Sequence, residues 1–166
     1  MYISKIKKTT DDVYKLHQLV EHQFEGLEKT FFIGDEYITV IHKDAISNAS
    51  SHEFNPKVGV ELGFSIRLNP VKRDSLTQKI VPLYSQDLPK FIEKKFKCVG
   101  FDIVSADVFH EKPVRVKKSP KQIIHINHFY MRGRLVVTDV SLFEKTLLSG
   151  IRGRCKAFGF STLCIN

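Results

Sequence analysis

The same order of predicted elements occurs twice along this chain, and the repeat limits its possible folds. In the first half a strand precedes a helix, a hairpin, a Ser- and Asn-rich stretch at 44–56 and a further strand. The strands are predicted at Tyr2–Lys8, Thr30–Ile33, Tyr37–His42 and Val58–Leu68, and the helix between Thr10 and Gly26. Gly34-Asp35 is a typical hairpin turn. The stretch at 44–56 is too short for a convincing second helix.

The second half repeats this order. Its predicted elements are a short strand at Lys79–Tyr84, a helix opened by Asp87, a strand at Phe101–Phe109, a basic connection at Val114–Pro120, a hairpin of Gln122–Arg132 and Arg134–Thr138 about Gly133, a helix after Asp139 and a closing strand from Phe158 to Ile165. Two units of about 80 residues that combine helices with antiparallel strands predict an α+β protein. We expect two tandem ferredoxin-like (βαββαβ) lobes at 1–76 and 77–166, the first with a reduced second helix.

The first predicted helix carries a polar pair beside its apolar stripe. Apolar residues recur at helical spacing from Val13 to Phe24. Tyr14 and His17, one turn apart, lie on an adjacent stripe together with Glu21. These two side chains can therefore point at the same ligand, although a histidine on a helix is by itself most often only a partly exposed residue.

Glycines and basic residues are combined in the segment Gly150–Phe160, which we call the glycine-rich segment. It contains Gly150, Gly153 and Gly159 and the cations Arg152, Arg154 and Lys156. Gly150 falls where the last helix should end. Glycines allow close approach of the backbone, and the cations suit a phosphate backbone. A helix end followed by solvated basic residues would give the same pattern.

The net positive charge of the chain comes entirely from its last third. Residues 1–111 contain 15 Lys and Arg against 16 Asp and Glu, whereas residues 112–166 contain 11 against 2. Such a localised charge favours a polyanionic partner, with nucleic acid as the first candidate, although a basic surface can also serve only solubility. We expect no membrane span and no signal peptide, and therefore a cytoplasmic location. Cys98, Cys155 and Cys164 are too few and too scattered for a disulfide framework or a zinc site.

Four local motifs, in order along the chain, resemble those of the CRISPR repeat-processing endoribonucleases of the CasE type. They are Met1–Lys5, Tyr14–Gln18, Phe64–Lys72 and the glycine-rich segment. In this chain Arg152 interrupts the usual Gly-x-Gly spacing, and Ser161 stands where the family often has glycine. The resemblance implies tandem ferredoxin-like lobes and cleavage of CRISPR precursor RNA at the base of the repeat hairpin. It also implies partner subunits in a Cascade-type complex.

The resemblance implies cleavage without a metal or another cofactor, by attack of the ribose 2′-OH on the neighbouring phosphate. His17 is then the general acid or base, and Tyr14 orients the attacking or leaving oxygen. A cation near the phosphate is expected from Lys117, Lys118 or Lys121. We prefer Lys121 because it directly precedes a strand, but each of these lysines could equally well only bind phosphates.

The remaining basic residues are predicted to bind the RNA backbone or the edge of its stem. They are Lys117, Lys118, Arg132, Arg134, Arg152, Arg154 and Lys156. His125 and His128 are interpreted as residues of the sheet or of the RNA contact, because an i, i+3 pair on a strand points to opposite faces. Two alternatives stay open: a non-catalytic RNA-binding subunit that holds guide RNA, and a generic basic RNA-binding domain.

Overall fold

The computed structural model describes residues 1–46, 51–83, 85–119, 122–153 and 155–166, without the side chains of residues 85, 118 and 119. The described helices are α1 (Val13–Gln23), α2 (Leu88–Lys95) and α3 (Val140–Ser149), with 3₁₀ turns at Ser85–Asp87 and Lys156–Phe158. The described strands are β1 (Tyr2–Lys7), β2 (Lys29–Ile33), β3 (Tyr37–His42), β4 (Ser51–Glu53), β5 (Glu61–Leu68), β6 (Val71–Arg73), β7 (Ile80–Pro82), β8 (Phe101–His110), β9 (Val114–Ser119), β10 (Gln122–Ile126), β11 (Phe129–Val137) and β12 (Leu163–Ile165).

The first sheet has the strand order β2-β3-β1-β4 with antiparallel pairs, and with α1 it forms what we call the first lobe. The predicted hairpin of β2 and β3 is confirmed, because the Gly34 N–H donates to the Tyr37 carbonyl across the turn at 2.9 Å. The described residues 43–46 after β3 contain no helix, in agreement with a reduced second helix. Helix α1 is capped by Asp12 rather than by Thr10.

The second sheet has the order β12-β5-β11-β8, so it places its first and third strands in the centre as the first sheet does. With α2 and α3 it forms the second lobe, and the predicted pair of ferredoxin-like lobes is confirmed. The predicted lobe boundary, between residues 76 and 77, would place β5 in the first lobe. The pairing of β5 with β11 and β12 places this strand in the second sheet instead. Its inward residues Phe64, Ile66 and Leu68 are buried in the core of the second lobe, which the chain order does not reveal.

Two further antiparallel ribbons pair β6 with β7 and β9 with β10. Strand β7 corresponds to the strand predicted at Lys79–Tyr84, but it pairs with β6 and not with the described strands of the second sheet. The basic connection predicted at Val114–Pro120 is wrong, since Val114–Ser119 forms strand β9, and Pro120 lies outside the described residues. The closing strand is also shorter than predicted, because Lys156–Phe158 forms a 3₁₀ turn before β12.

The hairpin predicted about Gly133 is wrong as well. Strand β11 runs through this residue and pairs with β5 on one side and with β8 on the other. A Cβ atom on Gly133 would lie 1.9 Å from the Ser105 carbonyl oxygen of β8. The glycine therefore permits a close approach of two strands, next to an irregularity in their register, rather than a turn.

The two lobes share one apolar core. Ile3 and Ile41 of the first sheet belong to the same buried cluster as Phe64 of β5 and Leu147 of α3. Thr30 of β2 donates its hydroxyl hydrogen to the Leu147 carbonyl at 2.7 Å. Helix α3 thus contacts both lobes and fixes the first sheet against the second. None of the helices in the described part of the chain is long and apolar enough to span a membrane.

Candidate active site

Helix α1 places Tyr14 and His17 beside its buried stripe, as the sequence predicts. The Asp12 carboxylate begins the helix by accepting hydrogen bonds from the backbone N–H groups of Tyr14 at 3.0 Å and Lys15 at 3.3 Å. Leu16, which lies between Tyr14 and His17 in the sequence, is fully buried. The ring centroids of Tyr14 and His17 lie 6.4 Å apart, so the structure brings the predicted pair together.

The His17 imidazole lies between two phenylalanine rings that come from opposite ends of the chain. It stacks on Phe31 of β2, with ring centroids 6.2 Å apart, and meets the Phe158 ring edge-on at 6.0 Å. The His17 side chain keeps 23% of its surface exposed. A ring that is held by packing and open at one edge can exchange a proton with a bound substrate.

Phe158 reaches His17 because of the shape of the glycine-rich segment. Helix α3 ends at Gly150 as predicted, with φ 69° at its C-cap. The 3₁₀ turn that ends with Phe158 is followed by Gly159, whose φ is 78°. A Cβ atom on Gly159 would lie 3.3 Å from the Phe31 ring and from the Phe31 carbonyl oxygen. The glycine therefore lets the segment lie directly on β2 beside His17.

Ser161 fixes the beginning of the glycine-rich segment by backbone hydrogen bonds and by a close contact with Gly153. The Ser161 carbonyl accepts the Ile151 N–H at 2.7 Å, and its own N–H donates to the Arg67 carbonyl at 2.7 Å. A Cβ atom on Gly153 would lie 2.2 Å from Ser161 Oγ, so these two residues are in close contact. Ser161 has φ 63°, in the left-handed region where glycine is favoured. The serine thus adopts a backbone conformation that glycine reaches more easily.

One known protein family and several solved structures resemble this chain. The model of the family described as CRISPR associated protein matches residues 38–166. The chain belongs to this family. A comparison with curated protein sequences found no match.

Three solved structures share the fold of this member of the CRISPR-associated family. Cas6e from Escherichia coli K-12 is 23% identical with a TM-score of 0.75, over 99% of this chain and 98% of that chain. Cse3 of Thermus thermophilus, bound to an RNA that represents a pre-cleavage complex, is 18% identical with a TM-score of 0.74 over the same shares. A chain of a CRISPR RNA-guided surveillance complex is 16% identical with a TM-score of 0.72, again over 99% and 98%. The family resemblance drawn from the motifs is confirmed.

The described cations of the glycine-rich segment differ in their contacts. Arg152 is exposed. Lys156 donates from Nζ to the carbonyl oxygens of Ser149 at 2.7 Å and Gly150 at 3.4 Å, where α3 ends, and burial lowers the pKa of Lys156. Lys95 of α2 donates to the Arg152 carbonyl, and burial together with the charges of Arg152 and Lys156 lowers the pKa of Lys95. Lys156 thus stabilises the end of a helix, while its contact with RNA stays a prediction.

Arg132 and Arg134 lie on the exposed face of strand β11, with Met131 and Leu135 buried on its other face. The Arg132 guanidinium lies 5.1 Å above the centre of the Phe109 ring. Arg134 forms an ion pair with Glu61, with 2.6 Å between Nε and Oε1. The exposed face of strand β11 therefore carries two cations, of which Arg134 already has an acidic partner.

Of the three candidate lysines, the structure describes the side chain of Lys117 alone. Lys117 is exposed on β9, next to Val116, which is buried in a cluster that includes Tyr14. Successive strand residues point to opposite faces, so Lys117 points away from that cluster. Lys121 and Arg154, and the side chain of Lys118, lie outside the described residues. The choice among the lysines stays a prediction.

A cavity of about 320 Å³ adjoins the site between the two lobes. One of its walls contains Arg67, Glu111 and His128. Glu111 Oε2 accepts a hydrogen bond from Arg67 Nε at 3.0 Å and lies 2.6 Å from His128 Nε2. Burial would raise the pKa of the Glu111 carboxyl, but its bonds with Arg67 and His128 outweigh that effect and hold the pKa below its ordinary value.

Sequence reasoning missed this cluster of Arg67, Glu111 and His128. Its members come from three distant parts of the chain, so no spacing pattern marks them. The His128 side chain is only 2% exposed and is bonded to Glu111, whereas His125 is exposed on β10. Arg67 also donates to the Ile33 carbonyl of β2, which links the two lobes at this point. Among the described residues, no group of His, Cys, Asp and Glu side chains is arranged to hold a metal ion.

Proposed function

We propose that this chain is a metal-independent endoribonuclease that cleaves CRISPR precursor RNA at the base of the repeat hairpin. The ribose 2′-OH attacks the adjacent phosphate and leaves a 2′,3′-cyclic phosphate and a 5′-OH end, which produces mature guide RNA. One observation carries the proposal: in a CRISPR-associated chain, His17 lies beside Tyr14 and against Phe158 of the glycine-rich segment. This contact supports a site where a histidine meets the segment that we propose binds phosphate.

In this mechanism His17 transfers the protons. Imidazole titrates near neutral pH in its unperturbed state, which suits both removal of the 2′-OH proton and protonation of the leaving 5′ oxygen. The Tyr14 hydroxyl orients one of these oxygens from the preceding turn of α1. The extra charge of the transition state is met by one of the lysines Lys117, Lys118 and Lys121, with Lys121 as the first candidate.

The cations of the second lobe hold the RNA stem. Arg132 and Arg152 are both exposed, and phosphate contacts from such cations position an RNA without reading its sequence. A related structure is of Cse3 bound to RNA, and another is of a CRISPR RNA-guided surveillance complex. These relatives support RNA and the other subunits of a Cascade-type complex as partners of this chain.

The test is cleavage of end-labelled cognate repeat RNA by the wild type, His17→Ala and His22→Ala, all in EDTA. His22 is the matched control, because it is exposed on the same helix. We expect the wild type and His22→Ala to give cyclic phosphate ends. We expect His17→Ala to bind RNA equally well but to cleave about 10²- to 10⁴-fold more slowly, the usual contribution of a general acid or base.

The other outcomes of this test contradict the proposal in different ways. Tight binding without cleavage by the wild type would favour the non-catalytic subunit that holds guide RNA. Cleavage that EDTA abolishes would remove the metal-independent mechanism. Full activity of His17→Ala would place the chemistry on another residue.

A further inference from the structure

One nitrogen of the His17 ring is enclosed and has no hydrogen-bond partner within the described residues. This atom is Nδ1, and the acceptor nearest to it among the ion pairs is Glu21 Oε1 at 3.9 Å. The other ring nitrogen, Nε2, is not a buried atom without a partner, and the His17 side chain keeps 23% of its surface exposed. A buried polar atom without a partner is destabilising, so a bond that can form here by a small movement is favourable.

The Glu21 carboxylate also forms an ion pair with a second residue, Lys29. Its Oε2 lies 3.0 Å from Lys29 Nζ, and the Lys29 side chain is only 10% exposed. The same ammonium group donates to the Phe24 carbonyl at 2.9 Å, near the end of α1. Oε1 is therefore the oxygen left to face His17. Since hydrogen bonds of this type are about 2.8 Å long, a rotation of the half-exposed Glu21 side chain has to close only about 1 Å.

We propose that Glu21 is a positioning residue that accepts the Nδ1–H of His17 and so leaves Nε2 unprotonated at the exposed edge of the ring. A carboxylate bonded to one imidazole nitrogen fixes both the tautomer and the orientation of the ring. The link to catalysis rests on the proposed nuclease function. In that reaction Nε2 receives the 2′-OH proton, and the resulting imidazolium is stabilised by Glu21 without transfer of the proton to the carboxylate.

The experiment combines two measurements on the wild type, Glu21→Gln, Glu21→Ala and Glu25→Ala. Nitrogen-15 NMR of the neutral His17 ring, without RNA, reports which nitrogen carries the proton. Single-turnover cleavage and RNA affinity are measured on the same proteins. Glu25 is the matched control, because it is an exposed glutamate just beyond α1 and its removal changes the net charge equally.

We expect Nδ1–H in the wild type and in Glu25→Ala, and a shift toward Nε2–H in Glu21→Ala. We expect Glu21→Ala to cleave about three- to tenfold more slowly at unchanged RNA affinity, with a smaller loss for Glu21→Gln, because a half-exposed carboxylate contributes modestly. An Nε2–H tautomer in the wild type, or a rate and a tautomer that Glu21→Ala leaves unchanged, would overturn the proposal. A wild type that cleaves no RNA would contradict the nuclease function, while the NMR result would still decide the Glu21 contact.

Discussion

The two lobes have sheets of the same strand order but differ in how the faces of those sheets are covered. In the first lobe both faces of β3 are buried: Ile38 and Val40 pack under α1, and Ile41 packs into the core shared with α3. In the second lobe α2 and α3 cover one face, while the other keeps exposed cations such as Arg132. One topology thus gives an enclosed sheet in one lobe and a sheet with an exposed polar face in the other.

This difference separates the two parts of the proposed activity. The enclosed lobe fixes His17 by packing it on Phe31, which suits a group that must hold a defined orientation. The lobe with the exposed face carries the basic surface, which suits contacts with a charged and hydrated phosphate backbone. The glycine-rich segment connects the two functions, since it begins at the end of α3 and reaches His17 through Phe158.

The largest effect is expected in the cores, and it tests whether the lobes are separate folding units. Leu16→Ala on α1 and Leu147→Ala on α3 each remove a buried helical leucine, and each should lower the free energy of unfolding by about 2–5 kcal/mol. Because Ile3 and Ile41 join the first sheet to the core of the second lobe, both variants should shift one common transition. The measurement is urea unfolding followed by circular dichroism and by fluorescence. Two transitions, each moved by only one variant, would show independent lobes.

A smaller effect is expected at Glu111, next to the contact between the lobes. Because its bonds with Arg67 and His128 hold the pKa of the Glu111 carboxyl below the ordinary 4.5, the ionised group stabilises the folded state above that pH. The stabilisation is lost as the pH falls through the lowered value. We expect Glu111→Gln to lower the free energy of unfolding by about 1–2 kcal/mol at neutral pH, and to differ less from the wild type as acid is added.

The matched control for Glu111 is Glu61→Gln, which breaks the more exposed ion pair with Arg134 within the second lobe. Exposed ion pairs contribute about 0–1 kcal/mol, so we expect little change in stability at any pH. The two variants are compared by urea unfolding between pH 3 and pH 7. An equal loss in both, or a difference at Glu111 that does not depend on pH, would contradict the role assigned to the buried cluster.

The smallest effect is expected for single arginines on the exposed face of the second sheet. Arg132→Ala should weaken binding of the repeat RNA by about three- to tenfold and reduce the dependence of log Kd on log salt by about 0.7–0.9, the value for one phosphate contact. Arg134→Ala should weaken it less, because Glu61 already neutralises part of the Arg134 charge. Cleavage at saturating RNA should stay the same in both variants. Equal affinities of the wild type and Arg132→Ala, measured by filter binding at several salt concentrations, would remove this face from the proposed RNA contact.

The sequence was most informative where neighbouring residues decide the structure. Helical spacing placed Tyr14 and His17 on one stripe, and Gly150 marked the end of α3. The sequence predictions were wrong where the role of a residue depends on a strand that is distant in the chain. A glycine such as Gly133 is typical of a turn. In the structure it is required instead because the Ser105 carbonyl of a neighbouring strand lies too close for a side chain. Strand β5 follows the first lobe in the chain but pairs with β11 and β12.

By itself the sequence determined the α+β class, the family motifs, the basic last third of the chain and the pairing of Tyr14 with His17, because periodicity and composition are local properties. The tertiary structure alone decided that Phe31 and Phe158 enclose the His17 ring and that Glu111 joins Arg67 to His128. These contacts depend on how two sheets pack through α3. Such packing brings Phe158 onto His17, more than a hundred positions away, and no spacing along the chain encodes it.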